Sequence, residues 1–299
     1  MTVDWIAVDW GTTHMRLWLM ANDGQVLDAR HSDRGMGTLT PQDYEAVLLA
    51  LCEDALGTKP VPVVVCGMAG ARQGWAEAAY AAVPCAAPDA HSAMRVPTQD
   101  RRLQVHILPG VSQRTPADVM RGEETQIKGL IATQSDFDGV ACLPGTHTKW
   151  AHLSAGEIVS FQTFMTGEMF ALLSQQSVLR HSVASKGWDE AAFAAAVDDA
   201  MGRPQAVAAK LFGLRAEALL GGLEGAVARA RLSGLLIGVE LAAAKPYWLG
   251  QQVAVIGAAA SADAYQAALT AQGVPVLQLD PTDMTLAGLR AAHAELEHQ

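Results

Sequence analysis

Two short turns constrain this chain more than any other feature. Asp9-Trp10-Gly11-Thr12-Thr13-His14-Met15-Arg16 and Pro144-Gly145-Thr146-His147-Thr148-Lys149-Trp150 each set glycine and hydroxyl residues between two apolar, strand-like runs. One lies in each half of the chain. A glycine lets the backbone approach a ligand closely, and Thr amides and hydroxyls can donate to phosphate oxygens. Either turn alone reads equally well as an ordinary hairpin. A pair in two halves of one chain suits a nucleotide whose phosphates are held from both sides. No GxxxxGK[ST] or GxGxxG string occurs, and the chain opens strand–turn–strand, which disfavours a P-loop or a simple dinucleotide fold.

The remaining pattern is α/β. Apolar runs at Val3–Asp9, Met15–Met20 and Gln25–Ala29 read as strands, with a hairpin signal at Asn22-Asp23-Gly24. Pro41–Leu56 has helical spacing, with Thr40 as the expected N-cap. Strands are expected at Val61–Cys66, Val105–Leu108, Val140–Leu143, Thr148–Leu153, Ile158–Phe164, Val253–Ile256 and Val274–Leu279. Helices are expected over Asp118–Ala132, through most of Met165–Lys245, and over Ser261–Ala271 and Asp283–Leu296. The three strands near the N-terminus are echoed by those from Val140 to Phe164.

Composition removes several function classes. With 21 Lys and Arg against 31 Asp and Glu in 299 residues, the formal charge is −10 and no basic run exists, so no nucleic-acid partner is expected. The longest apolar stretch, Leu232–Ala244, is too short to span a bilayer and carries Glu240, so no membrane partner is expected. Cys52, Cys66, Cys85 and Cys142 stand far apart without a CxxC, which favours reduced thiols over a disulfide frame or a zinc site. A cytoplasmic location is the default expectation, and a homodimer is expected by base rate alone.

Four positions carry candidate chemistry. Asp9 ends a buried strand, where a carboxylate needs a partner or a metal. Gly11, Thr12, Thr13, Gly145 and Thr146 are candidate phosphate donors. Gly257-Ala258, between a strand and a helix, can admit a ribose or a flat ring against the backbone, though such junctions are common. Arg121-Gly122-Glu123-Glu124 opens a largely apolar helix, so either acid could serve as a general base or simply favour the helix N-terminus. Arg16, Arg72 and Arg121 could each fork onto a carboxylate, with Arg121 preferred and Arg72 read as a solvated surface residue. Arg16 sits beside the first turn and could hold phosphate instead. His147 and Trp75 could touch a sugar, or could be a structural histidine and a core indole.

Together these strings resemble the superfamily of sugar kinases, heat-shock chaperones and actin. Asp9–Arg16 is similar to its first phosphate motif, Gly145-Thr146 to its second and Gly257-Ala258 to its adenosine motif. Gly122–Gln126 resembles the carbohydrate-kinase segment whose aspartate is the base; Glu123 stands at that place and Glu124 remains a candidate. The likeness narrows through Gly67-Met68-x-Gly70 with Gly74-Trp75, Ile107-Leu108-Pro109-Gly110, Met120–Gln126, Pro144–Trp150, Thr163–Glu168 and Ser233–Gly238. In this order, across nearly the whole chain, they look like the 2-dehydro-3-deoxygalactonokinase family.

That resemblance implies a two-domain, actin-like (ribonuclease H-like) ATPase fold with a nucleotide cleft between domains 1–134 and 135–299. It implies ATP and Mg²⁺ as cofactors and phosphorylation of the 6-hydroxyl of 2-dehydro-3-deoxy-D-galactonate, a small sugar acid of galactonate breakdown. The expected roles are Glu123 or Glu124 as base, and Asp9 on Mg²⁺ through water. Gly11, Thr12, Thr13, Arg16, Gly145 and Thr146 are expected on phosphates, Gly257 and Ala258 on adenosine. Gly70, Trp75, Arg121 and His147 are expected on the sugar acid. The alternatives are a kinase for 2-dehydro-3-deoxygluconate or a related acid and, from another class, a nucleotide-switched actin-like protein without transfer chemistry.

Overall fold

The computed structural model describes residues 3–88 and 90–297, and the chain divides into two compact units. Unit 1 comprises residues 1–138, 153–160 and 281–299; unit 2 comprises 139–152 and 161–280. The first break falls four residues past the expected boundary at 134. The C-terminal segment from Pro281, placed by sequence in the second half, belongs to unit 1.

Unit 1 opens with β1 (Trp5–Trp10), β2 (Met15–Met20) and β3 (Val26–Ser32), an antiparallel meander, followed by α1 (Tyr44–Cys52) and β4 (Val61–Gly67). Short strands β5 (Tyr80–Ala82), β6 (Cys85–Ala86) and β7 (Met94–Val96) precede β8 (Leu103–Ile107), β9 (Gly110–Arg114) and β10 (Ala117–Met120). Helix α2 spans Glu123–Thr133. The main sheet has the order β3-β2-β1-β4-β8-β7, with β1, β4 and β8 parallel. A small sheet, β10-β9-β5, stands apart from it.

Alternation along β1 decides what each face meets. Ile6, Val8 and Trp10 join the core that includes Tyr44 and Leu48 of α1. Trp5 and Ala7 join the opposite core, with Leu286, Leu289 and Ala292 of the final helix. Asp9 has the same parity as Trp5 and Ala7.

Unit 2 contains β11 (Gly139–Leu143), β12 (Thr148–Ser154) and β13 (Glu157–Phe164), the tip of this hairpin grouping with unit 1. Helices α3 (Thr166–Gln175), α4 (Glu190–Gly202), α5 (Val207–Leu220), α6 (Gly225–Ala243) and α7 (Lys245–Trp248) follow. Then come β14 (Val253–Ile256), α8 (Ala259–Ala271) and β15 (Val276–Leu279). Strands β11, β14 and β15 are parallel neighbours. Helix α6 lies close on α4 because it presents glycines: a Cβ at Gly234 would come within 2.5 Å of the Phe193 carbonyl oxygen, and one at Gly238 within 2.6 Å of that of Val197. The last helix, α9 (Pro281–Glu297), packs on α2 in unit 1.

Two helix starts differ from the sequence expectation. Thr40 does not cap α1; its N–H and hydroxyl both donate to Asp43 Oδ2, at 2.8 and 2.7 Å, closing a turn ahead of a helix that begins at Tyr44. The helix expected from Asp118 begins at Glu123, since 117–120 pair with β9 and Gly122, at φ 109°, turns the chain between strand and helix. The described residues contain no helix long and apolar enough to cross a membrane.

Candidate active site

In unit 1 the candidate residues gather where β1 and β4 end, the end of a parallel sheet at which α/β proteins bind ligands. Asp9 and Cys66 are register partners on adjacent parallel strands, and the Cys66 thiol points to Asp9 Oδ1 at 3.8 Å. Asp9 and Arg16 face each other across β1 and β2, and Arg16 donates to Asp9 Oδ2 from Nη2 at 2.5 Å and from Nε at 3.2 Å. Its Nη1 donates to Thr282 Oγ1 of α9 at 2.9 Å. Arg16, expected on phosphate, is thus engaged by Asp9 and α9, because the antiparallel register sets the two charges opposite each other.

The first turn is held from behind. The carbonyls of Gly11, Thr12 and Thr13 accept from the N–H groups of Met36, Gly37 and Gly35 at 3.0, 2.9 and 3.0 Å. Gly35 belongs to this site although the sequence reading passed it over: a Cβ there would lie 2.3 Å from the Thr13 carbonyl carbon. The visible signal was the Gly35-Met36-Gly37 string, which no turn rule ties to residues twenty positions earlier. Thr12 and Thr13 are exposed.

At the N-terminus of α2 the two glutamates separate in environment. Glu124 is 1% exposed, and both its carboxylate oxygens accept the Gly122 N–H, at 2.9 and 2.7 Å. Burial, with the neighbouring Glu123 charge, pushes its carboxyl up to about 8. Glu123 is only half-buried, and its Oε2 accepts the Arg121 N–H at 3.1 Å. Gly122 lies beside β4, a Cβ there falling 3.5 Å from the Gly67 Cα.

Arg121 is the best-defined member of this group. Its Nη2 donates to the Ala78 carbonyl at 2.8 Å, and its guanidinium lies 4.3 Å from the centre of the Tyr80 ring. Nε and Nη1 are shut away from solvent without a hydrogen-bond partner among the described residues. Gly70 makes room for it, since a Cβ at that position would lie 2.6 Å from Nη1. Arg72, by contrast, is an 80% exposed side chain beside Glu77. Trp75 stacks on Tyr44 at 5.7 Å and meets Trp10 edge-on at 6.0 Å, the core arrangement rather than a sugar wall.

In unit 2 the parallel neighbours β11 and β14 carry the second turn and the Gly257 junction at the same end. A Cβ on Gly257 would sit 3.3 Å from Pro144 Cδ. Ala258 caps α8, its carbonyl accepting from Ser261 and Ala262 at 2.9 Å each. Gly145, Thr146 and His147 are exposed, and a Cβ on Gly145 would meet nothing within 4 Å. The protein's own packing therefore does not demand glycine at 145. His147 Nε2 pairs with Glu168 Oε2 at 2.7 Å, and the Glu168 N–H donates to the Thr146 carbonyl at 2.9 Å. His147 thus lies in unit 2, whereas Gly70, Trp75 and Arg121 lie in unit 1.

A cavity of about 960 Å³ opens beside this turn, wholly within unit 2. Its walls include Gly145, Thr148, Thr166, Gly167, Ser261 and Tyr265. Gly167 fits under the turn, for a Cβ there would fall 2.1 Å from the Gly145 carbonyl oxygen.

Residues 9–292 match the family model for 2-keto-3-deoxy-galactonokinase. The chain belongs to the 2-keto-3-deoxy-galactonokinase family. The Escherichia coli (strain K12) 2-dehydro-3-deoxygalactonokinase is 35% identical over 298 residues, covering 98% of this chain and 99% of that protein. A Rhizobium meliloti (strain 1021) protein named as a probable 2-dehydro-3-deoxygalactonokinase is 40% identical over 293 residues, 96% of this chain and 95% of its own. The crystal structure of a Sinorhizobium meliloti protein named as a putative 2-dehydro-3-deoxygalactonokinase matches with a TM-score of 0.90 at 39% identity, over 98% of this chain and 99% of the other. At 12% identity and a TM-score of 0.50, the Acidaminococcus fermentans (R)-2-hydroxyglutaryl-CoA dehydratase component A shares the fold alone. The α/β, two-unit, actin-like ATPase fold expected from sequence is the fold of this family member.

Proposed function

We infer that this chain transfers the γ-phosphoryl group of ATP to the 6-hydroxyl of 2-dehydro-3-deoxy-D-galactonate. Family membership supports the class of reaction, and the observation that carries the acceptor side is Arg121. Two of its guanidinium nitrogens are buried and unanswered among the described residues, a costly arrangement that a ligand can complete only if the packing around Gly70 opens to admit it. A sugar-acid carboxylate is the acceptor whose two oxygens match a guanidinium fork.

Glu123 is the group best suited to take the hydroxyl proton. It is half-buried and reachable, whereas Glu124 is 1% exposed, its carboxylate holds the Gly122 N–H, and burial pushes its carboxyl up to about 8. The hydroxyl oxygen forms its bond to the γ-phosphorus as the bond to the bridging oxygen of ADP breaks, and its proton passes to the Glu123 carboxylate. Backbone N–H groups of Thr12, Thr13, Gly145 and Thr146 suit the charge on the transferred group, whereas the Gly11 N–H, expected on phosphate, donates to the His14 carbonyl at 2.9 Å.

The Asp9 carboxylate suits Mg²⁺ held through water, since among the described residues Oδ1 meets only the weak Cys66 thiol contact. When bound, Mg²⁺ neutralises phosphate charge.

Steady-state kinetics of Arg121→Lys test the acceptor side. A lysine keeps the charge but loses the fork, so the expected result is a KM for the sugar acid raised about tenfold or more with KM for ATP unchanged. An unaltered KM for the sugar acid would remove Arg121 from the site.

A further inference from the structure

Beneath the cavity of unit 2 lies a carboxylate that the transfer chemistry does not use. Glu240, on α6, is 1% exposed. Its Oε1 accepts the indole N–H of Trp150 at 2.7 Å. Its Oε2 accepts the Tyr265 hydroxyl at 2.7 Å and also the Thr166 hydroxyl. Tyr265 Oη lies 3.0 Å from Thr148 Oγ1. Since Tyr265 gives its one proton to Glu240, Thr148 is the donor in that pair.

The donors arrive from three separate elements. Trp150 is on β12, Thr166 is the first residue of α3, and Tyr265 is on α8. Thr148 directly follows the second phosphate turn, Thr166 precedes the Gly167 that fits beneath it, and α8 begins one residue after the Gly257-Ala258 junction. Thr148, Thr166 and Tyr265 all line the cavity. Burial raises the Glu240 carboxyl to about 7 while the Thr166, Trp150 and Tyr265 donors oppose that rise, and its ionised form is the side chain that can accept from all three at once. An apolar residue on this face, like Leu236 and Ile237 nearby, would leave those donors unanswered. Burying a carboxylate is costly, so its presence calls for a role that a leucine cannot fill.

We propose that Glu240 is a positioning residue for the nucleotide, its carboxylate locking the second phosphate turn and the adenosine helix at one fixed spacing. The site is then preformed when ATP arrives, so ordering of β12, α3 and α8 does not subtract from binding. The residue touches no substrate and acts through Thr148, Thr166 and Tyr265. The inference rests on placing ATP in this cavity, whose walls include Gly145 of the second turn and Ser261 in the first turn of α8.

Calorimetric titration of ADP into the wild-type protein and into Glu240→Gln, Tyr265→Phe and Thr166→Val tests it, with KM for each substrate measured alongside. Glu240→Gln should weaken ADP about tenfold and raise KM for ATP by a similar factor, with KM for the sugar acid within about twofold of wild type. Tyr265→Phe and Thr166→Val should move ADP affinity in the same direction. The Glu240→Gln/Tyr265→Phe pair should be less than additive, because both act through one network. ADP affinity within about twofold of wild type in Glu240→Gln would overturn the proposal. If that variant does not fold, unchanged ADP affinity in both other variants overturns it instead. A general loss of structure would raise both KM values together, and that result also contradicts it. Failure of the wild-type protein to bind ADP would overturn the reading of the cavity itself and this inference with it.

Discussion

Tyr44 carries a hydroxyl that no group answers. It is fully buried between Trp10 and Trp75, its oxygen has no partner among the described residues, and burial pushes its ionisation up to about 12. Tyr44→Phe should therefore stabilise the protein by about 1 kcal/mol in denaturant titrations, since it removes an unpaired polar group and keeps the ring. Glu124 offers a pH-dependent counterpart. Its carboxyl stands at about 8 in the folded protein against an ordinary value of 4.5. The unfolded chain releases that proton first as pH rises, so this group costs nothing below pH 4 and its cost grows from there to about pH 8. Glu124→Gln should accordingly raise Tm at pH 8, by an amount on the order of 2 kcal/mol in stability, and leave it nearly unchanged at pH 4. An equal effect at both pH values would mean that the gain is not electrostatic. Glu123→Gln should instead leave stability alone and lower kcat by about a hundredfold or more, with ADP binding retained. A near-normal kcat in that variant would take the base away from Glu123.

Helices α2 and α9 meet through glycine. A Cβ at Gly129 would lie 1.9 Å from the Met284 carbonyl oxygen, and one at Gly288 would lie 2.0 Å from that of Thr125. Gly288→Ala should destabilise unit 1 by roughly 1–3 kcal/mol, seen as a lower Tm, because neither contact is with a flexible side-chain end that could move aside. It should also reduce turnover, since α2 presents Glu123 and α9 presents Thr282 to Arg16. Neither glycine stands out in the sequence, where a helical glycine looks like a weak helix former. The strands around both turns were legible, because short apolar runs rich in Val, such as Val61–Cys66 and Val253–Ile256, suit buried strands. The small β10-β9-β5 sheet was not. Its strands are short and mixed in polarity, and Asp118–Met120 fits helical spacing as well as it fits an edge strand until Gly122 turns the chain. The site followed the same division. Asp9, Gly145 and Arg121 announce themselves by residue type beside a strand end. The pairing of Arg16 with Asp9, the support of the first turn by Gly35 and the burial of Glu124 depend on register and packing that no local string encodes.

At the level of the whole molecule, the candidate residues divide between the units. Unit 1 carries Asp9, the first turn, Glu123 and Arg121; unit 2 carries the second turn, the Gly257 junction and the cavity. Both sets fall within the residues 9–292 that match one family model. ADP release from Mg·ATP in a coupled assay, run with 2-dehydro-3-deoxy-D-galactonate and with its gluconate epimer, tests the proposed reaction. The predicted result is strong stimulation by the galactonate compound and little by the epimer. ADP binding without stimulation by either sugar acid would contradict the proposed reaction.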